Sequence, residues 1–180
     1  MASGMQTFLQ VLADRKALTE KECEDVISRI SASDLPMGNG KADVIIKSIN
    51  TKLRFMDLEI RGYHLPNKEK MVALINLVED DVSKMEGSQL SPAEVEVFKK
   101  ILDVISKGDD FTASSSELSD KLRSEAKMTA GLFGAFVQTL VDKRWLDKTG
   151  SEVSYGPRTY LELADQLRAL NVTVPQMVVY

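Results

Sequence analysis

The chain has 180 residues, of which 43% are hydrophobic and 28% charged, with a formal net charge of −4. This composition is typical of a folded globular protein, and no apolar run approaches the roughly 20 residues that a membrane-spanning helix needs. Residues 1–5 have neither a basic nor a long apolar region, so we expect no secretory signal. A single cysteine and a single histidine exclude a disulfide framework, and they exclude a zinc site built from four thiolate and imidazole ligands.

The acidic excess is spread evenly along the chain. Residues 1–90 hold 12 Lys/Arg and 14 Asp/Glu, and residues 91–180 hold 11 and 13, so each half carries −2. Neither half has the basic excess of a dedicated nucleic-acid-binding domain. The lone thiol, Cys23, lies among acidic residues that raise its pKa, so we expect it to be structural rather than reactive.

The first half predicts three helices followed by a two-stranded hairpin. Apolar residues recur at helical spacing in the first and third helices, and a capping box opens the second at Thr19. Alternating and continuous apolar runs then predict two strands. The predicted elements are helices at 5–14, from 19 onward and at 41–54, and strands at 56–63 and 71–78.

The second half repeats this order and adds a helix. A capping box of Ser91 and Glu94, with Pro92 at the first helical position, opens a helix that runs to about residue 107. Trp145, Phe133 and Phe136 are interpreted as core side chains. The other predicted elements are a short strand at 111–112, helices from 115 and at 129–143, a hairpin with strands at 145–146 and 153–155, and a last helix at 157–170.

Three helices and a hairpin, found twice, predict the fold class. The chain is expected to be mainly α with small β-hairpins, in two tandem winged-helix domains. Domain A is assigned to residues 1–88. Domain B, with its extra C-terminal helix, is assigned to 89–180.

The ordered motifs resemble the N-terminal region of a known family, non-SMC element one of the SMC five-six DNA-repair complex. The resemblance covers nearly the whole chain. The stretches taken together in this order are more specific to the family than any single stretch is. The stretches that carry it are 8–12, 73–77 with 82–85, Asp142-Lys143-Arg144-Trp145-Leu146, and 156–163.

This resemblance implies a non-catalytic scaffold subunit of a nuclear complex that serves DNA repair, recombination and chromosome maintenance. Its expected partners are a MAGE-family subunit and the kleisin subunit, in a heterodimer or heterotrimer. Family members continue into a RING-like module, which is linked to ubiquitin-ligase function and is expected to hold the zinc. That module is absent from these residues, so no catalytic residue, metal ligand or cofactor is assigned here. The apolar residues 177–180 are interpreted as the entrance to it.

The resemblance also implies that the first helix contacts the MAGE partner. If Phe8, Val11 and Leu12 face the core, the opposite stripe offers apolar and amide side chains with no charge to desolvate. The predicted partner-binding residues are Gln6, Leu9, Gln10 and Ala13.

The alternative function is a DNA-binding winged-helix transcription regulator. A DNA-reading third helix needs basic or amide side chains on its exposed face. The third helix of domain A offers such a patch, weakened by Asp43, whereas the corresponding helix of domain B offers few cations. Weak DNA contact is therefore assigned only to Lys41, Lys47, Asn50, Lys52 and Arg54.

Three other segments suggest chemistry but have simpler interpretations. Residues 37–41 combine glycines with a lysine but lack the spacing of a phosphate-binding loop, so an ordinary loop is favoured. Ser114, Ser115 and Ser116 have no histidine near in sequence and are interpreted as helix caps. The acidic run 79–81 lacks the spacing of a calcium loop, and His64 is expected to be solvated.

Overall fold

A computed structural model describes residues 3–30, 42–64, 70–77 and 90–180. The glycine-containing loop, the acidic run, Lys41 and the predicted domain boundary near residue 88 lie outside these ranges. The chain forms two compact units. The first comprises Met1–Leu77 together with Pro175–Tyr180, and the second comprises Val78–Val174.

The described elements follow the predicted order with several additions. The helices are α1 (Ser3–Arg15), α2 (Glu20–Arg29), α3 (Ala42–Leu53), α4 (Pro92–Ser106), α5 (Ser115–Leu122), α6 (Ala130–Asp142), α7 (Pro157–Glu162) and α8 (Ala164–Ala169). The strands are β1 (Ala17–Thr19), β2 (Leu58–His64), β3 (Lys70–Asn76), β4 (Thr112–Ser114), β5 (Leu146–Thr149), β6 (Glu152–Tyr155) and β7 (Met177–Val179).

The predicted capping boxes are confirmed in both units. In the first, the Thr19 hydroxyl accepts a hydrogen bond from the Glu22 amide, and the Glu22 carboxylate accepts one from the Thr19 amide at 2.8 Å. Ser91 and Glu94 make the same reciprocal pair at the start of α4. These bonds satisfy amides that have no partner within the helix, and they fix where α2 and α4 begin.

The first unit packs three helices against a four-stranded antiparallel sheet of order β1-β3-β2-β7. The short β1 was not predicted, and it aligns Ala17 with Ala73 of β3. Burial, followed by the neighbouring Glu22 carboxylate, raises the pKa of Cys23 to about 12, so the thiol stays protonated. The buried side chains of this core are Met5, Phe8, Leu12, Leu18, Cys23, Ile45, Ile46, Ile49, Leu53, Ile60 and Val72.

Strand β7 corrects the predicted domain assignment. Val178 aligns with Gly62 of β2, so Pro175–Tyr180 belong to the first unit rather than to domain B. A side chain at Gly62 would lie 2.9 Å from the Met71 carbonyl and 3.1 Å from the Tyr180 hydroxyl, so only glycine fits between the neighbouring strands. The apolar character of residues 177–180 is explained by this sheet.

The second unit has the winged-helix order a second time, with a sheet of order β4-β6-β5. The Tyr155 hydroxyl donates a hydrogen bond to the Leu102 carbonyl at 2.9 Å and so ties the wing to α4. Among the described residues, more side chains are buried in this core than in that of the first unit. The bulkiest buried members are Phe98, Phe133, Phe136, Trp145, Tyr155, Ile101, Ile105 and Leu118.

One prediction for the second unit is wrong, and one apolar side chain is unexpectedly exposed. The helix expected over 157–170 is divided into α7 and α8, because Leu163 leaves helical geometry (φ −115°, ψ 27°) as its side chain enters the core. On α6, the apolar side chain of Leu132 is 62% exposed. Phe133, Phe136 and Leu140 fill the buried face of α6 at helical spacing, and Leu132 lies at the edge of that face, about 100° around the helix from Phe133.

Trp145 is confirmed as a core residue and has no exposed surface. Its ring centroid lies 5.7 Å from that of Phe98, and the Arg158 guanidinium carbon lies 4.1 Å from the Trp145 ring centroid. The Arg158 Nε donates to the Glu162 carboxylate at 2.7 Å, so the guanidinium is paired as well as stacked. The Trp145 carbonyl accepts from the Gly156 amide, which joins α7 to β5.

We expect Trp145→Ala to lower the free energy of unfolding by about 3–5 kcal/mol, because it removes a large buried ring and leaves a cavity beneath Arg158. Thermal and denaturant unfolding of both proteins measures the loss. Leu132→Ala is the matched control and should cost less than about 0.5 kcal/mol, because that side chain is exposed. A loss below about 1 kcal/mol for Trp145→Ala would contradict a core role.

Candidate interaction site

The outward face of α1 presents amide and small side chains. Gln6, Gln10 and Ala13 are exposed and lie three and four residues apart, so they form one stripe. Leu9 is half-buried and packs partly against the core of the first unit, as Val11 does. The stripe therefore offers less apolar area at Leu9 than the helical spacing predicts.

No charged side chain precedes Asp14 in the sequence, so the outward face of α1 is electrically neutral over most of its length. At the C-terminal end, Lys16 donates to the Ala13 carbonyl at 2.6 Å, and Arg15 lies 3.3 Å from the Glu22 carboxylate. A partner covering Gln6 and Gln10 would desolvate amides but no charge, which is the composition of an interface core.

The predicted DNA-contact patch on α3 is only partly assembled. Lys47, Lys52 and Arg54 are exposed, whereas Lys41 lies outside the described residues. Asn50 is 2% exposed, so its assignment as a DNA contact is wrong. Its side-chain amide donates to the Ile60 carbonyl at 2.9 Å, and its side-chain oxygen accepts from the Ile60 amide at 2.7 Å. Asn50 therefore attaches α3 to β2 through both of its polar side-chain atoms, and its burial keeps it from a base edge.

Asp43, the acidic residue on α3, is paired with a cation from β3. The Lys70 ammonium lies 2.7 Å from the Asp43 carboxylate, 3.7 Å from Glu20 and 4.6 Å from the centroid of the Tyr180 ring. Burial alone lowers the pKa of Lys70, but the hydrogen bond to Asp43 and the interaction with Tyr180 outweigh it and raise that pKa overall. Lys70 thus stays charged and links α2 and α3 to Tyr180, the residue that follows β7.

The corresponding helix of the second unit, α6, has a different outward face. Gly131, Gly134, Ala135 and Gln138 are exposed, and Gln138 donates to the Asp142 carboxylate at 2.9 Å. The helix contains no lysine or arginine. Because phosphate contacts dominate DNA affinity, this face does not suit a DNA backbone.

The remaining candidates have structural explanations in the described residues. The Ser114 hydroxyl accepts from the Glu117 amide and caps α5, as predicted. His64 is exposed, as predicted. Within the described ranges, no group of three or more Asp, Glu, His or Cys side chains could hold a metal ion. None of the described helices is both long and apolar enough to cross a bilayer.

Two units with winged-helix order define the class as a tandem winged-helix protein, whose α1 presents a neutral face suited to a protein partner. A family model described as Nse1, the non-SMC component of the SMC5-6 complex, matches residues 5–131, and the chain belongs to this family. This confirms the family resemblance of the ordered motifs.

A solved structure supports the fold independently. One chain of the Nse1-Nse3-Nse4 complex aligns with a TM-score of 0.79 and 24% sequence identity, over 93% of this chain and 74% of that chain. At this identity the likeness establishes the fold, so the tandem winged-helix prediction is confirmed. No curated protein matches the sequence.

We expect Asn50→Ala to destabilise the first unit by roughly 1–3 kcal/mol, because it leaves the buried amide and carbonyl of Ile60 without their side-chain partners. Lys47→Ala, one turn away on the exposed face, is the matched control and should be nearly neutral. Urea unfolding followed by circular dichroism measures both. Equal stability of Asn50→Ala and wild type would show that the two hydrogen bonds do not hold α3.

Proposed function

We propose that the chain is a non-catalytic scaffold subunit that binds a MAGE-family subunit and the kleisin subunit of an SMC5-6 complex. The observation that carries this proposal is the family match over residues 5–131. The structural likeness to a chain from the Nse1-Nse3-Nse4 complex supports it, with Nse3 as the MAGE-family subunit and Nse4 as the kleisin. The expected location is the nucleus, at chromosomes undergoing repair or recombination.

The mechanism we infer is docking by a preformed surface. Gln6, Gln10 and Ala13 are held on a helix whose other side buries Phe8 and Leu12, so the stripe is ordered before a partner arrives. A preformed surface loses less conformational entropy on binding than a flexible segment does. Leu9 contributes at the margin of the stripe, where it remains half-buried.

Ubiquitin-ligase function is a separate part of the proposal. In family members with a RING-like module, we infer that zinc and ligase function belong to that module. The winged-helix units would then position it within the complex. In the part of the chain that the structure describes, Cys23 is buried and protonated, His64 is exposed, and neither belongs to a group of three or more possible metal ligands.

We expect the double substitution Gln10→Glu and Ala13→Glu to weaken binding of the MAGE-family subunit by about 2 kcal/mol or more, because it buries two carboxylates without partners. Isothermal titration calorimetry of the purified subunits measures the change. The melting temperature should stay close to that of wild type, since both positions are exposed.

Ala169→Glu, at an exposed position of α8, is the matched control and should leave affinity unchanged. Unaltered binding by the double variant would place the interface elsewhere and would turn attention to the exposed faces of the second unit.

We expect the purified 180-residue chain to hold no stoichiometric zinc, because a buried protonated thiol and one exposed imidazole do not form a ligand set. Elemental analysis after dialysis provides the measurement. One zinc per chain that survives dialysis and is lost on Cys23→Ser would contradict this expectation.

A further inference from the structure

The outward face of α3 combines apolar side chains with cations. Val44 and Thr51 lie seven residues apart on one side of α3, and Phe55 lies in the 3-10 turn Arg54–Met56 that directly follows the helix; all three are exposed. Lys47 and Lys52 are exposed on α3, and Arg54 is exposed in the turn beside Phe55. We call this set of six residues, together with Met56 in the turn after α3, the α3 face.

Apolar exposure in the described part of the chain is concentrated on this face. Four large apolar side chains are exposed among the described residues. Three of them belong to the α3 face: Val44 is 40% exposed, Phe55 is 80% exposed and Met56 is 42% exposed. Single exposed apolar residues are common on protein surfaces, but clustered ones mark interaction sites. Phe55 is the most exposed of the four, and a buried aromatic ring contributes strongly to association.

The cations of the α3 face have no acidic partner among the described residues. Lys52 lies 3.6 Å from the sulfur of Met5, and no described ion pair involves Lys47 or Arg54. The nearest acid on the same helix, Asp43, is bound by Lys70. The face is therefore locally positive on a chain whose net charge is −4.

We propose that the α3 face binds an acidic protein segment that carries bulky apolar side chains. Carboxylates of the segment would meet Lys47, Lys52 and Arg54, and its apolar side chains would cover Phe55 and Val44. The rise of a helix places these two residues roughly 16 Å apart, a span that about three turns of a partner helix would cover. This surface is distinct from the α1 stripe, so the proposal does not depend on the MAGE-partner interface.

A protein segment fits this face better than DNA does. Asn50 is the one amide side chain on α3, and it is hydrogen-bonded to the backbone of Ile60. Three cations neutralise few phosphates, whereas DNA affinity depends on many such contacts. Against DNA, the apolar surface of Val44 and Met56 would face hydrated phosphates and would gain no favourable contact. Against a protein segment, the same side chains would be buried in the apolar core of the interface.

Selection from a random library of displayed 12-residue peptides, with the whole folded chain as the target, tests the proposal. The enriched peptides should share acidic residues around a Leu, Ile, Phe, Trp or Met. Synthetic copies should bind at least about tenfold more weakly to Phe55→Ala and to the double variant Lys47→Glu and Arg54→Glu. Raising the salt concentration should weaken binding to wild type, because part of the attraction is between exposed charges.

Leu132→Ala, the exposed apolar residue of α6, is the matched control and should bind the peptides as wild type does. Unchanged melting temperatures should show that the variants remain folded. Enrichment of non-acidic peptides, no enrichment, or equal binding by Phe55→Ala would overturn the proposal. So would a 30-nucleotide oligothymidine that binds more tightly than the peptides and loses affinity with the same substitutions, since the face would then be a nucleic-acid site.

Discussion

The two hydrogen bonds between Asn50 and the backbone of Ile60 are the constraint on which the first unit depends. They saturate a buried amide and fasten α3 to β2 at one point along the strand. Asn50 faces the core with Ile46, Ile49 and Leu53, while Val44, Lys47 and Phe55 are exposed. The second unit attaches its elements differently, through Tyr155 and the Leu102 carbonyl, and its α6 contains no lysine or arginine. The same fold therefore presents two chemically different third helices.

Most of the fold could be predicted because its signals are local. Capping boxes and helical apolar spacing depend on residues within one or two turns, so the major helices and both hairpins were placed correctly. The elements that were missed depend on distant partners. Strand β1 has only three residues and exists because β3 lies beside it, and β7 pairs with β2 from the far end of the chain. The break at Leu163 follows from core packing, which local propensity does not contain.

The candidate surfaces were less predictable than the fold. Exposure of Gln6, Gln10 and Ala13 follows from the helical period once Phe8 and Leu12 are buried. Asn50 was misassigned because its polarity suggests exposure, whereas a buried backbone amide and carbonyl supply its partners. Phe55 and Leu132 are the opposite case, since they are apolar side chains that are exposed. An apolar residue is expected to be inside, and only the finished packing shows that the core had no room for these two.

Because β7 belongs to the sheet of the first unit, the unit that is synthesised first is the last one that can complete its fold. A ribosome releases residues 1–77 first, yet the sheet they form gains its fourth strand only when residues 177–179 have been made. The second unit, whose elements are contiguous in the chain, becomes complete earlier. Until then, β2 keeps one edge unpaired, and unpaired edges attract other strands. A nascent chain of this protein thus carries an open sheet edge for as long as the whole second unit takes to emerge.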